Sequence, residues 1–254
     1  MNIIVPIKQV PDLVEGLEID ESGKDLNREW IKLKLNEFDD HALEEALLLK
    51  EESGATVTAI AIDSQDIDKV LFTAAAKGAD KIIKVTGNFG TTVTSHEAAK
   101  ALANAISSMQ YDLVLTGVQA VDDRDGQIAV LLANYLNVPH VSVVTGVSIN
   151  GGAVSVMKEY GGGNVAEFEC TPPLVLGIQA ARQTPRYVPV AKVRQIMKSA
   201  TLEEVAGGDV SVVAASTVQK FSFPTGGGSA QMIEGSAEEQ ANKIFELLKE
   251  KGIK

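Results

Sequence analysis

Tyr111–Thr116 (YDLVLT) runs straight into Gly117–Ile128 (GVQAVDDRDGQI) and on into Ala129–Pro139 (AVLLANYLNVP). The first piece reads as a short buried strand over Leu113–Leu115. The last has the apolar spacing of a helix, read over Gln127–Leu136. A strand, a loop and a helix in immediate succession make half of a βαβ unit. The loop between them carries three aspartates and two glycines. Two readings of it stand side by side. Its backbone N–H groups, at a helix start, can grip a phosphate, with Gly126 permitting close approach and Gln127 reaching a base or carbonyl. Equally, it can be a solvated loop whose acids complement the helix dipole. It is neither GxGxxG nor a Walker loop, so neither of those mechanisms transfers.

Working outward, the same alternation repeats. Asn2–Gln9 (NIIVPIKQ) reads as a buried strand ending at Pro11. Leu17–Leu33 mixes acids, Gly23 and short apolar pieces, an irregular excursion with a possible hairpin. Asn36–Glu52 is a helix with Asn36 as cap and acids in its first turn. Thr56–Ile62 is a strand, Asp66–Lys77 a helix stopped by Gly78, and Lys81–Val85 a strand. Ser95–Ser107 is a helix capped by Ser95 or Thr94, and Val141–Val144 is a fifth strand. Strands and helices alternate about every 25–30 residues, the spacing of a parallel sheet built from crossovers. Right-handed crossovers put the strand C-termini along one edge, where ligands of such sheets bind. The GVQAVDDRDGQI loop falls there, with Pro6–Val10, Asp63–Gln65 and Thr86–Gly90.

After about residue 145 the pattern changes. Val147–Ile149, Val154–Tyr160 and Val165–Cys170 read as antiparallel strands around glycine turns, and Leu174–Ile178 as another apolar strand. A short helix follows from Pro189 to Lys198. Val205–Gly228 is rich in Gly, Ser and Val and reads as an extended arm, and Ser236–Lys251 as a last helix capped by Ser236. The fold class is therefore α/β: a largely parallel sheet flanked by helices, with an antiparallel hairpin region and a C-terminal arm plus helix.

Composition narrows the function. The 254 residues are 45% hydrophobic and 22% charged, with 5% aromatic. The net charge of −11 argues against nonspecific nucleic-acid or anionic-membrane binding. No apolar run approaches the roughly 20 residues that span a bilayer. The opening MNIIVPIKQVPD goes straight into a strand pattern, so no signal peptide is expected. One cysteine, Cys170, forms no internal disulfide. His41, His96 and His140 sit in no zinc-ligand spacing, and a structural role is expected of each. No GxSxG is present. A nucleotide-sized edge site without an evident nucleophile or metal favours a binding or carrier protein over a hydrolase.

Several stretches together resemble the β subunit of electron transfer flavoproteins. They are Lys8-Gln9-Val10-Pro11-Asp12 and Leu35-Asn36-Glu37-Phe38-Asp39 leading into Ala42–Ala46. Then come Ala74–Asp80, Gly117–Asp123 with Gln127, Pro172 with Leu174–Leu176, and Pro185-Arg186-Tyr187 with Ile196-Met197-Lys198. They occur in the family's order over most of residues 1–200. The resemblance implies a heterodimer with an α subunit that carries the redox-active FAD. The β chain would hold a nucleotide of its own, AMP or, in electron-bifurcating members that use NADH, a second FAD. Carried across, the nucleotide positions are Pro6, Asn36, Glu37, Phe38, Asp39, Ile62, Asp63, Gly117, Val118, Gln119, Ala120, Val121, Asp122, Asp123, Arg124, Asp125, Gly126, Gln127 and Ile128. Residues 1–200 would form the nucleotide-binding domain, and 201–254 the arm and helix that embrace the α subunit.

Two positions depart from the usual pattern. Ile128 stands where members often carry Thr, and Asp63-Ser64-Gln65 replaces a Gly-Pro turn. An aliphatic residue at 128 and the KQVPD start look closer to bifurcating members, and the missing Gly-Pro turn does not. AMP and a second FAD both remain open. The segment after Tyr187 is where the family docks dehydrogenases such as acyl-CoA dehydrogenase, using an apolar anchor. Val190 has the matching offset, and Arg186, Tyr187, Ile196 and Met197 complete the expected docking set. Alternatively, this short helix only packs on its own domain. The implied role is an electron carrier in fatty-acid oxidation, passing electrons to a quinone-linked oxidoreductase. A cytoplasmic location is expected, or the mitochondrial matrix if eukaryotic. A stand-alone adenine-nucleotide module of the same architecture is the rival from another class.

Overall fold

The computed structural model describes residues 1–14, 16–90, 93–123, 125–211, 217–224 and 230–253. In chain order its elements are β1 (Asn2–Pro6), β2 (Gln9–Pro11), β3 (Leu33–Leu35), α1 (Glu37–Ser53), β4 (Thr56–Ile62) and α2 (Ile67–Lys77). There follow β5 (Lys81–Thr86), α3 (Ser95–Ile106), β6 (Leu113–Gly117), α4 (Ile128–Leu136), β7 (His140–Asn150) and β8 (Ala153–Glu159). The last are β9 (Val165–Cys170), β10 (Leu174–Ile178), α5 (Val190–Ile196), β11 (Leu202–Ala206) and α6 (Ala237–Glu250). Among the described residues one sheet runs β11-β5-β4-β1-β6-β10-β7-β8-β9, and β2 pairs with β3 in a small antiparallel ribbon. Pairing is parallel from β11 to β7 and antiparallel across β7, β8 and β9. The expected α/β class is the observed one.

The two-residue period of the strands decides which face each side chain covers. Ile3, Val5, Leu113, Leu115, Leu174 and Leu176 pack with Leu43, Leu47 and Leu71 on the face of α1 and α2. Their alternates Ile4, Val114 and Val175 pack with Leu102, Ile106 and Leu132 on the face of α3 and α4. Every residue of β6 and β10 is buried, as expected of central parallel strands covered on both sides. Each large aliphatic side chain so buried contributes on the order of 1.5–3 kcal/mol.

Several boundaries differ from the sequence reading. The opening strand is two pieces, because the chain turns at Ile7-Lys8 and Gln9–Pro11 leaves to pair with Leu33–Leu35. Val141–Val144 and Val147–Ile149 are one continuous strand, β7. Val143 bulges out of it with φ of 64°, between the Gly177–Ser142 and Ile178–Val144 pairs. An extra residue bends a strand, and here the bend lets β7 leave the parallel sheet and start the hairpin. Residues 202–206, partly read as arm, add a parallel edge strand beside β5. Thr94, not Ser95, caps α3 through a capping box with Glu97. α6 is capped by Ser236 with Glu239, and it leaves Ile244, Phe245, Leu247 and Leu248 exposed.

Candidate functional site

After β1 the chain crosses first to β4 and β5 on one side, and then to β6 on the other. The strand order thus reverses between β1 and β6, and the carboxyl edge between the loops leaving these two strands is the crevice position that ligands of doubly wound sheets take. Pro6 closes β1, Ile62 closes β4, and Gly117 closes β6. Asp63 follows β4, exposed, with its N–H donated to the Val85 carbonyl at 2.9 Å.

The start of α1 is pressed against the end of β6. A Cβ on Gly117 would lie 2.5 Å from Asp39 Oδ1 and 2.7 Å from Phe38 Cβ, so only glycine fits this approach. Asp39 is buried. Its Oδ2 accepts from Lys8 N at 2.9 Å and its Oδ1 from Gly117 N at 3.2 Å, so one carboxyl joins the ends of β1 and β6. Burial pushes this carboxyl up to about 7, against the Lys8, Asn36 and Gly117 hydrogen bonds and the Lys8 charge that favour its anion. Asn36 occupies the cap position of α1 as expected, but its side chain does not cap the helix. Its Nδ2 donates instead to the Gln119 carbonyl at 3.0 Å, fastening the β6–α4 loop. Glu37 is exposed and Phe38 half-buried.

In the loop itself, Val118 N donates to the Ile178 carbonyl at 3.2 Å, Ala120 is buried, and Val121 is half-buried. The acids are engaged within the protein. Lys8 Nζ meets Asp122 Oδ1 at 2.9 Å and Asp123 Oδ2 at 3.2 Å. Asp125 Oδ1 accepts from Ser95 Oγ at 2.9 Å and from Gln127 N at 3.3 Å. Gly126 takes φ of 64° and brings its backbone beside the Val118 carbonyl. Gln127 makes no capping bond with its side chain, so nothing from it blocks the first turn of α4, where Ile128 is half-buried. Arg124 lies outside the described residues. A glycine of positive φ and a first turn that the Gln127 side chain leaves uncapped give a loop that can receive a phosphate group, with the Asp125 carboxylate bonded to Gln127 N beside it.

The expected docking residues lie on a segment strapped to α1. Arg186 is not free: its N, Nε and Nη2 bind the Glu44 carboxylate at 2.8–3.0 Å, and Nη1 meets Glu51 at 2.7 Å. Four residues earlier, Arg182 donates its N and Nε to Glu45 at 2.9 and 2.8 Å, and its Nη1 to Glu52 at 2.8 Å. Glu45 also accepts from Val147 N at 2.9 Å, and His41 Nδ1 accepts from Ala181 N at 3.2 Å. Glu44 and Glu45 are buried. Beyond this clamp Tyr187, Val190 and Met197 are exposed, Ile196 is half-buried, and α5 rests against α2. The sequence reading missed Lys8 as a site residue, and missed Glu44, Glu45 and Arg182. Two adjacent glutamates inside the apolar run of α1 were the signal, since buried acids need partners.

A family model described as Electron transfer flavoprotein domain matches residues 26–216. A relative named Electron transfer flavoprotein subunit beta, from Methylophilus methylotrophus, is 33% identical over 98% of both chains. One of the same name from Bacillus subtilis is 29% identical over 98% of both. Another from Clostridium acetobutylicum is 36% identical over 76% of this chain and 74% of its own. This chain belongs to the electron transfer flavoprotein beta subunit family. The matched region takes in the start of α1, the β6–α4 loop and the Arg182–Arg186 strap. No described helix is long and apolar enough to cross a membrane.

Proposed function

We propose that this chain is the β subunit of an electron-carrying flavoprotein. It pairs with an α subunit bearing FAD, accepts electrons from flavin dehydrogenases such as an acyl-CoA dehydrogenase, and passes them to a quinone-linked oxidoreductase. The flavin supplies the electron chemistry, and the protein sets distance and orientation. This chain brings no catalytic group of its own. Its own ligand is an adenine nucleotide. Gly126, Gln127 and the first turn of α4 hold the phosphate, and Pro6, Ile62 and Asp63 border the nucleoside end. The loop at the switch point carries this reading, since Asp122 and Asp123 are paired with Lys8 and the Gln127 side chain leaves the first turn of α4 uncapped.

Within the segment 201–254, β11 belongs to the sheet of this chain, and the remainder is the part that embraces the α subunit, in keeping with the uncovered Ile244, Phe245, Leu247 and Leu248 of α6. Tyr187, Val190, Ile196 and Met197 meet the dehydrogenase, on a strap that Arg186 holds in place. Ile128 favours a second reading, in which the crevice holds a second FAD and the complex bifurcates electrons from NADH. An aliphatic side chain there removes a phosphate-facing hydroxyl. The test is to denature the copurified α–β complex and quantify what it releases. One FAD and one AMP per heterodimer is the expected result. Two FAD without AMP would move the second reading to the front, and no second nucleotide would overturn the assignment of the crevice.

A further inference from the structure

Lys8 is bonded to two separate pieces of chain at the switch point, the start of α1 and the β6–α4 loop. Its N–H donates to Asp39 and its carbonyl accepts from Asn36 N at 2.9 Å, which fixes the main chain at the end of β1 and the start of α1. Its ammonium then crosses to the other side of the crevice, to Asp122 Oδ1 at 2.9 Å and Asp123 Oδ2 at 3.2 Å. The Lys8–Asp39 main-chain bond is part-buried, whereas the Lys8 side chain is 40% exposed and those of Asp122 and Asp123 are 33% and 32% exposed. One half of the residue is thus a fixed foot, and the other half is a contact that water can reach.

We propose that the Lys8 side chain is a latch on this crevice: a positioning residue that holds the Asp122-Asp123 rim toward the end of β1 and so retards nucleotide release. The inference rests on the nucleotide reading above. Two adjacent carboxylates repel each other, Asp125 nearby and any phosphate placed on α4. The ammonium offsets both of them and tethers the loop carrying them to the opposite wall. Removing it would free the rim and add negative charge beside the anion. The titration directions agree with this pairing. Burial works against charge on Lys8, yet Asp122 and Asp123 hold its ammonium above the usual lysine range. Burial raises the Asp123 carboxyl, with Lys8 acting the other way. A half-exposed contact of this kind is also screened by salt.

The test measures release of bound AMP, or of FAD from the crevice, from the α–β complex at about 0.05 M and about 0.5 M salt. Lys8→Gln should release nucleotide about tenfold faster at low salt, the scale of one charge-assisted contact. Lys8→Arg should restore slow release. Release from the unsubstituted complex should quicken with salt, and release from Lys8→Gln should not. In an Asp122→Asn/Asp123→Asn background, Lys8→Gln should have little further effect, as a direct coupling requires. Unchanged release by Lys8→Gln, or an effect that persists without the two acids, overturns the latch and leaves the nucleotide reading intact. An unsubstituted complex that retains no nucleotide in this chain overturns both.

Discussion

Two ion-paired joints, one beside the start of α1 and one along its length, are built differently. Beside its start, partly exposed Lys8 joins the end of β1 to Asp122 and Asp123 of the β6–α4 loop. Along its length, the fully buried Glu45 and nearly buried Glu44 grip Arg182 and Arg186 through backbone and guanidinium donors together. The first joint can open at small cost, because exposed pairs contribute little to stability. The second cannot, because taking away one partner leaves buried polar groups of the joint without their bonds. The same chemistry therefore yields a loosely held rim beside the proposed nucleotide site and a firmly held mount behind the proposed docking segment.

The sharpest way to break this contrast is at the fixed joint. Glu45→Ala leaves the Val147 and Arg182 N–H groups and Arg182 Nε without their acceptor, with only Glu52 still paired to the guanidinium. Arg182 is about a third exposed, so the loss belongs at the lower end of the buried-pair range, about 3 kcal/mol. Denaturant unfolding measures it, and a loss as small as that of an exposed pair would erase the distinction.

Next in size is Gly117→Ala at the root of the movable joint. Its Cβ would overlap Asp39 Oδ1 and the Phe38 backbone, so α1 must back away from β6. Overpacking of this kind costs about 1–3 kcal/mol. It should also lower nucleotide content, because Asn36 and Asp39 move with the helix start. Full stability with full nucleotide content would show that the close approach has no role.

Asp39 gives a graded effect. Its carboxyl titrates at about 7 in the folded protein, above its unfolded value of about 3.9. Between those limits the folded state binds more protons than the unfolded chain. This site's contribution is therefore fully present at low pH and is lost as pH rises toward 7, by up to about 1.4 kcal/mol per pH unit. The stability difference between the native chain and Asp39→Asn should fall across that window and level off above it. A flat difference from pH 5 to 8 would mean that the carboxylate stays charged when buried.

Much of this was legible in the sequence. The strand–loop–helix step at Tyr111–Pro139 and its repeats gave the parallel sheet, since burial on both faces imposes a nearly unbroken apolar run. The carboxyl-edge position of the GVQAVDDRDGQI loop followed from crossover handedness. What could not be read were pairings between distant residues. Nothing local in KQVPD says that Lys8 reaches Asp122, 114 positions away. Nothing in the Val-rich stretch at 141–149 says that Val143 takes a left-handed conformation and fuses two expected strands into one. The edge strand at Leu202–Ala206 was obscured because an exposed edge lacks the apolar run that marks a buried strand.

The smallest expected effect on stability belongs to the residues that the fixed joint presents. Val190 is 62% exposed and Tyr187 is 83% exposed, and neither anchors the strap, which Arg182 and Arg186 hold from behind. Val190→Asp should therefore change unfolding free energy by no more than about 0.5 kcal/mol, as exposed substitutions generally do. Flavin content should be untouched, because the substitution lies away from the crevice. If the proposed docking holds, electron acceptance from the dehydrogenase should nonetheless slow, through a higher apparent KM rather than a lower kcat, since a charge would replace an apolar contact. Normal electron acceptance would detach the strap from docking and leave the Glu44–Arg186 and Glu45–Arg182 clamp as packing alone. Slow acceptance in Val190→Asp, with normal stability, would separate the mount from what it carries.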